Sequence, residues 1–156
     1  VVGETRVDLH FFRAVREIIW VLQLHENRDF NHHLHFGSDT PTQPVRDHLL
    51  SEARLLVNGQ ERCPWMPMSY YYLVTNYEHH NDYSDLLVYL FSFAVAPSAR
   101  VPTGSMNFSM IDNVTLQIRP NPQWVNQASP ARLTVYGVSE NELRITNGMA
   151  ALRYAS

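Results

Sequence analysis

Three stretches of the chain alternate apolar and polar residues with a period of two, the pattern of a strand with one face on a core and the other in solvent. In the first, Val7, Leu9 and Phe11 alternate with Arg6, Asp8 and His10. In the second, Val114, Leu116 and Ile118 alternate with Thr115, Gln117 and Arg119; in the third, Leu143 and Ile145 alternate with Glu142, Arg144 and Thr146. Two further runs, Ile18 to Leu22 and Leu86 to Val95, are apolar on both parities, which predicts strands covered on both faces. In the latter, Leu87, Tyr89, Phe91 and Phe93 would share an aromatic-rich face.

Asn58-Gly59 follows Leu55-Leu56-Val57, and Asn147-Gly148 separates Leu143-Arg144-Ile145 from Ala150-Ala151-Leu152. Both residues of each pair tolerate positive φ, so each pair predicts a tight hairpin turn. Adding Arg132 to Val138 gives about eight strand-like segments, punctuated by Pro and Asn. One stretch departs from this pattern. From Ser69 to His79, the residues Tyr70, Leu73, Val74 and Tyr77 recur at helical spacing, which predicts a short helix with Ser69 as its N-cap. A strand through Tyr70 to Val74 is the competing reading, because aromatic and β-branched residues suit strands.

The connections Leu24 to Arg46 and Asn58 to Asp85 are longer than a compact sandwich needs and are the expected places for contacts with other subunits. Many short strands with little helix predict an all-β fold, and eight strands in two sheets make a jelly-roll β-sandwich, with one short helix in a long loop.

Composition adds a constraint on the surface. A chain of 156 residues suits one domain. Only 17% of its residues are charged, against roughly 25% in ordinary soluble domains, so much of its surface is expected to be covered by neighbours. The net charge is -3 and the twelve basic residues are scattered singly, which argues against a phosphate-binding footprint and hence against direct nucleic-acid contact. The apolar run from Leu86 is too short to span a bilayer as a helix, so no membrane span is expected. Cys63 is the one cysteine, which excludes an intrachain disulfide and fits folding in a reducing compartment. The chain starts on Val1 with no basic-then-apolar leader, the expectation being a fragment or a processed chain.

Candidate chemistry is sparse. His32, His33 and His35 cluster, and His79-His80 follow the expected helix, but zinc needs three or four converging ligands. These histidines lie in polar stretches without a matched cysteine, so solvated loop histidines are expected and no metal ligand is assigned. Ser84, Asp85 and His80 lie near one another in sequence without a nucleophile elbow, and no Gly-rich phosphate loop is present. Asn107-Phe108-Ser109 and Asn113-Val114-Thr115 match the N-glycosylation pattern, with structural roles as the favoured reading. Cys63 is expected to be a small buried hydrophobe and Trp20 a core residue. Trp124, in a loop between Pro122 and Asn126, is open to use as an interface anchor or as a sugar-stacking platform. No catalytic or cofactor-binding residue and no cofactor is assigned.

Three stretches carry a resemblance. Pro102-Thr103-Gly104-Ser105-Met106-Asn107-Phe108-Ser109-Met110-Ile111-Asp112, preceded by Tyr89-Leu90-Phe91-Ser92-Phe93-Ala94, is the first. The closing Asn141 to Ser156, with Leu143-Arg144-Ile145-Thr146-Asn147-Gly148-Met149, is the second, and Val15-Arg16-Glu17-Ile18-Ile19-Trp20-Val21-Leu22-Gln23 is the third. Together, in this order, they resemble the major capsid proteins of nucleocytoplasmic large DNA viruses. Arg13-Ala14 stands where Asn-Pro is common in that family, and Met110 where a basic residue is common.

The resemblance implies two consecutive jelly rolls, of which residues 1–156 form the C-terminal one without its first strand or strands and without the preceding barrel. It also implies trimeric pseudo-hexagonal capsomers on an icosahedral lattice, minor capsid proteins as partners, a structural and non-enzymatic role, and residence in the virion capsid after assembly in the host cytoplasm. A missing strand would leave an open sheet edge, and loop histidines titrating near neutral pH would tune assembly. The rival reading is a carbohydrate-binding jelly roll built around Trp124; a cupin-type metalloenzyme would need several histidines inside the barrel.

Overall fold

The computed structural model describes residues 1–38, 47–81 and 85–153. Ten strands are formed among them: β1 (Thr5–Asp8), β2 (Ala14–Leu24), β3 (Leu50–Val57), β4 (Gln60–Pro67), β5 (Tyr89–Ser92), β6 (Met106–Asn107), β7 (Val114–Pro120), β8 (Ala131–Ser139), β9 (Leu143–Thr146) and β10 (Met149–Leu152). Two short α-helices, α1 (His25–Asp29) and α2 (Thr75–His80), interrupt them; α2 is preceded by a π turn over Tyr70–Val74, and a single 3-10 turn over Phe108–Met110 follows β6.

The first sheet has the order β1-β7-β3-β4, antiparallel throughout. The second is built on β2. Trp20 pairs with Tyr89 of β5 and with Val135 of β8, while Val15 pairs with Met106 of β6 and Ser139 of β8. β8 therefore runs along one edge of β2, and β5 and β6 follow one another along the other. Two four-stranded groups face to face make the jelly-roll sandwich that the periodicity predicts. β9 and β10 form a separate two-stranded hairpin.

The core lies between the sheets. From β2 come Ile18, Trp20, Leu22 and Leu24, and from the first sheet Leu50, Ala53, Leu55, Leu116 and Ile118, all nearly inaccessible. The register of β2 slips between Val15 and Glu17, where Arg16 is the extra residue of a bulge. The slip lets Val15 join the even-numbered residues in the core and turns Glu17 outward. There Glu17 is still buried, because His80 Nε2 at the end of α2 sits 2.8 Å from its Oε2. The run Ile18 to Leu22 is thus covered on both faces, as its composition predicts, with Val21 also buried on the outer side.

Both hairpins form as expected. Asn58 and Gly59 have φ of 50° and 78°, and Asn147 and Gly148 have 53° and 81°, the positive values a two-residue turn needs to match strand twist. Four expectations need correction. The strand in Leu86 to Val95 spans only Tyr89–Ser92, because Leu87 takes a left-handed φ of 53° and leaves the extended conformation; Leu87 and Phe93 are therefore outside the strand. Asn58 to Asp85 is not a long loop but holds β4, the π turn and α2.

The helix is present and the rival strand is not, but Ser69 is itself helical, with φ −62° and ψ −32°, and makes no capping bond. Its buried stripe is also different: Tyr71, Thr75 and Asn76 face inward while Leu73, Val74 and Tyr77 are exposed. Polar anchoring decides this. Thr75 Oγ1 donates to the Leu90 carbonyl at 2.8 Å, and Asn76 Nδ2 donates to the carbonyls of Tyr72 and Val88, so backbone carbonyls at the start of β5 are satisfied by side chains of α2.

Candidate interaction surface

The residues considered for chemistry do not converge. Among the described residues no group of three or more His, Cys, Asp and Glu side chains is placed to hold a metal ion. His32 and His33 are exposed in the loop after α1, where their carbonyls accept from Gln23 Nε2, and the rings of His32 and His35 meet edge to face. His79 Nδ1 lies 3.0 Å from the Val95 carbonyl, and His80 is taken up by Glu17. Ser84 lies outside the described residues, as do Arg46 and Tyr154 to Ser156 of the stretches considered above. Trp20 is in the core, and Trp124 is half-buried against that core, which removes the open platform that sugar stacking needs. No helix among the described residues is long and apolar enough to cross a membrane.

Cys63 is buried, its sulfur 3.2 Å from the Tyr71 hydroxyl, which donates to the Ala53 carbonyl at 3.0 Å. Burial pushes the thiol above its ordinary range and the Tyr71 phenol far above its own, so Cys63 stays protonated and unreactive. His48 stands in another polar-in-apolar contact, with Nδ1 3.0 Å from the Tyr89 hydroxyl and its ring against Tyr72. Burial lowers its pKa from 6.5, with the Asp47 charge opposing. A histidine depressed on folding contributes stability that is complete above the unfolded value and is lost as pH falls through the folded one. Thermal melts are therefore expected to lose stability as pH falls below about 6.5, with a shallower loss in His48→Gln; parallel curves for the two proteins would contradict this.

The Pro102 to Asp112 motif turns out to be a structural clip. Gly104 adopts a φ of 144°, and a Cβ there would lie 3.0 Å from the Phe93 carbonyl oxygen; only glycine fits. Met106-Asn107 pairs with Ala14-Val15, the Asn107 side chain accepts from the Ser109 amide, and Phe108 inserts into the core against Phe11 and Phe93. Asn107 is thereby committed to a turn, and Asn113 accepts from the Thr115 hydroxyl at 3.0 Å, the structural roles expected of both sequons.

Arg13 closes the clip: its amide donates to Ser109 Oγ, its carbonyl accepts from Phe108, and its φ is 75°. That left-handed φ gives a physical reason for the family's asparagine, which tolerates αL where arginine does not. Arg13→Asn is expected to raise stability by about 0.5–1 kcal/mol, read as a higher denaturant midpoint with unchanged slope; no gain would contradict the strain reading.

What remains is surface. Across the outer face of the first sheet Arg119 bonds Glu4 at 2.8 Å and Glu52 at 2.6 Å, Arg54 bonds Gln117 and Glu61, and both guanidinium groups lie over the Trp65 ring, at 3.9 and 4.9 Å. This ladder was not legible in sequence, since its members come from four separate segments. The outer face of the second sheet forms an open groove of about 550 Å³ lined by Ile19, Val21, Leu34, Phe36, Thr134 and Tyr136.

At the end of the sandwich where the clip sits, Phe12 is 70% and Met110 81% exposed. Beside them a cleft of about 850 Å³ lies between Arg13, Asn107, Ser109 and the base of the β9–β10 hairpin at Glu142 and Arg153. Every residue of that hairpin is exposed. Phe12 and Met110 at this end and the apolar residues of the exposed hairpin are groups that a neighbouring surface would cover.

The comparisons with known proteins agree with this picture. A family model described as large eukaryotic DNA virus major capsid protein matches residues 3–151. The chain is 39% identical over 104 residues to a major capsid protein of Chrysochromulina ericina virus, covering 67% of this chain and 18% of that protein. It is 33% identical over 126 residues to that of Paramecium bursaria Chlorella virus 1, covering 69% and 29%. A quasi-atomic model of the PBCV-1 virus capsid superposes with a TM-score of 0.78 at 25% identity over 99% of this chain and 46% of that one. The Faustovirus major capsid protein, at 12% identity and a TM-score of 0.68, shares the fold over 88% of this chain. The chain thus spans less than a third of the length of these two curated relatives and about half of the PBCV-1 capsid chain. With the family model matching nearly its whole length, the chain belongs to the major capsid proteins of large eukaryotic DNA viruses.

Proposed function

We propose that this chain is the C-terminal jelly-roll portion of a structural virion protein, whose whole polypeptide trimerises into pseudo-hexagonal capsomers of an icosahedral capsid and performs no catalysis. The observation that carries the reading is the superposition of nearly the whole chain on a chain of the PBCV-1 virus capsid, with exposed apolar side chains such as Phe12 and Met110 left at the clip end for neighbours to cover. A shell protein buries such surfaces between subunits over many standard-sized contacts. Minor capsid proteins are the further partners, and a single buried cysteine suits assembly in the host cytoplasm. The carbohydrate-binding alternative loses ground because Trp124 is packed on the core.

The domain organisation follows from β8. Among the described residues its nine positions pair with one strand only, β2. Val1 exchanges both backbone bonds with Ala131, the first residue of β8, on the opposite side. This reciprocal pair is the repeat unit of an antiparallel ladder. Extended backward from Val1, it places the preceding residues opposite Leu133, Val135 and Gly137, whose backbone groups alternate with those bonded to β2. A strand continuous with Val1 fills that edge in this reading, and it accounts for the partial exposure of Leu133 and Val135, which pack on the core from one side only.

The test is mass measurement of the full-length polypeptide in solution by sedimentation or native mass spectrometry. A trimer that associates further into lattice pieces is expected; a stable monomer that binds a glycan would overturn the proposal.

A further inference from the structure

Among the described residues the β9–β10 hairpin is an amphipathic ribbon that pairs with no other strand and is exposed along its whole length. Leu143 pairs with Leu152 and Ile145 with Ala150, and cross-strand partners share a face. That face is wholly apolar, with Leu143 61%, Ile145 68% and Leu152 55% exposed. The other face carries Arg144, Thr146, Met149 and Ala151. A two-stranded hairpin is marginal in water unless something packs on it, so the apolar face needs an occupant.

The register of β8 says which one. If the strand continuous with Val1 lies antiparallel on β8, it enters at the Ser139 end and leaves at Ala131. Everything that precedes it in the polypeptide then emerges beside Ser139. The hairpin begins four residues beyond Ser139, and Glu140 is held there by its amide bond to the Ala14 carbonyl and by Arg16 at 2.9 Å. The hairpin base is further tied by Arg153, whose amide and guanidinium both bond Glu142. The hairpin thus starts close to the end of β8 at which the preceding polypeptide arrives. The superposed capsid chain is about twice as long as this one, the match covering 46% of its length, which leaves room for a preceding part of that size in the same reading.

We infer that the apolar face of the hairpin, Leu143, Ile145, Ala150 and Leu152, docks the part of the same polypeptide that precedes the β8-edge strand, clasping the two halves of one subunit together rather than joining two subunits. This rests on the edge-strand reading above, and the experiment separates the two. In full-length protein, trimers are assembled from equal parts of light and ¹⁵N-labelled subunits, with a benzophenone side chain placed at Ile145 in one preparation and at Leu143 in another. Crosslinked peptides are then read by mass.

The expected result is crosslinks to residues upstream of Val1, within chains of one isotope. Crosslinks between isotopes, or to residues 1–156, overturn the inference and name a second copy or the barrel itself as occupant. Hydroxyl-radical labelling of the unmodified protein guards against misfolded variants. Leu143, Ile145 and Leu152 are expected to be protected while Met149 on the opposite face reacts; equal labelling of both faces overturns the inference. Slow amide exchange at Leu133, Val135 and Gly137 reports the edge strand on its own, so fast exchange there refutes the underlying reading, and slow exchange with a reactive Ile145 refutes the clasp alone.

Discussion

Trp20→Ala is expected to cost about 3–5 kcal/mol, the range for deleting a fully buried large aromatic, and to be the most damaging single truncation in the sandwich. Trp20 is 1% exposed and is the point at which the second sheet reaches the material opposite: its ring meets Tyr71 edge to face at 5.0 Å and stacks on Tyr89 at 6.1 Å. Tyr71 in turn holds Cys63 and the Ala53 carbonyl on the first sheet. Removing the indole leaves a cavity between the sheets and unsupports a tyrosine whose hydroxyl has no water to fall back on. Trp124→Ala, at a half-buried site on the margin of the same core, is expected to cost about a third as much. Urea melts of the two variants check the ratio, and comparable losses would show that the core is not centred where the packing places it.

Gly104→Ala is expected to destabilise by about 3 kcal/mol, combining a backbone conformation that only glycine visits readily with a clash against backbone atoms that cannot rotate away. The added Cβ would meet the Phe93 oxygen at 3.0 Å and the Ala94 Cα at 3.3 Å. Gly3 is the internal control: its φ is 71° but nothing lies within 4 Å of its added Cβ, so Gly3→Ala should cost about 1 kcal/mol from φ alone. A Gly104 variant no worse than the Gly3 variant, measured by denaturant midpoint, would show that the close approach is dispensable.

These two residues illustrate what was legible before the fold was known. Trp20 sat in a run apolar on both parities, and both the strand and its double coverage followed from that pattern; the hairpins followed from Asn-Gly pairs because positive φ is a local property. The helix at Ser69 was visible as periodicity, but its buried face was not. Leu73, Val74 and Tyr77 make the apolar pattern, whereas Thr75 and Asn76 are the residues that find backbone partners near β5, and tertiary hydrogen bonding outweighed hydrophobicity. Leu87 broke an expected strand through a left-handed φ that its side chain does not advertise.

The interaction surface was the least legible part. The Trp65 ladder joins residues from four segments, and the pairing of β8 with β2 alone among the described strands is a property that no window of sequence contains. The clip around Gly104 and Asn107 was recognised by resemblance, while its reason, backbone contact with Phe93 and a capped turn under Phe108, is geometric.

Cryo-electron microscopy of the purified native particle decides whether this sandwich is the second barrel of a capsid subunit, completed along β8 by the polypeptide upstream of Val1, as proposed. The expected map has the sandwich in a trimeric capsomer, with a strand running antiparallel to Ala131–Ser139 and entering Val1 from the Ser139 end. A capsomer that lacks the sandwich, or one that leaves the outer edge of β8 to solvent, refutes the proposal.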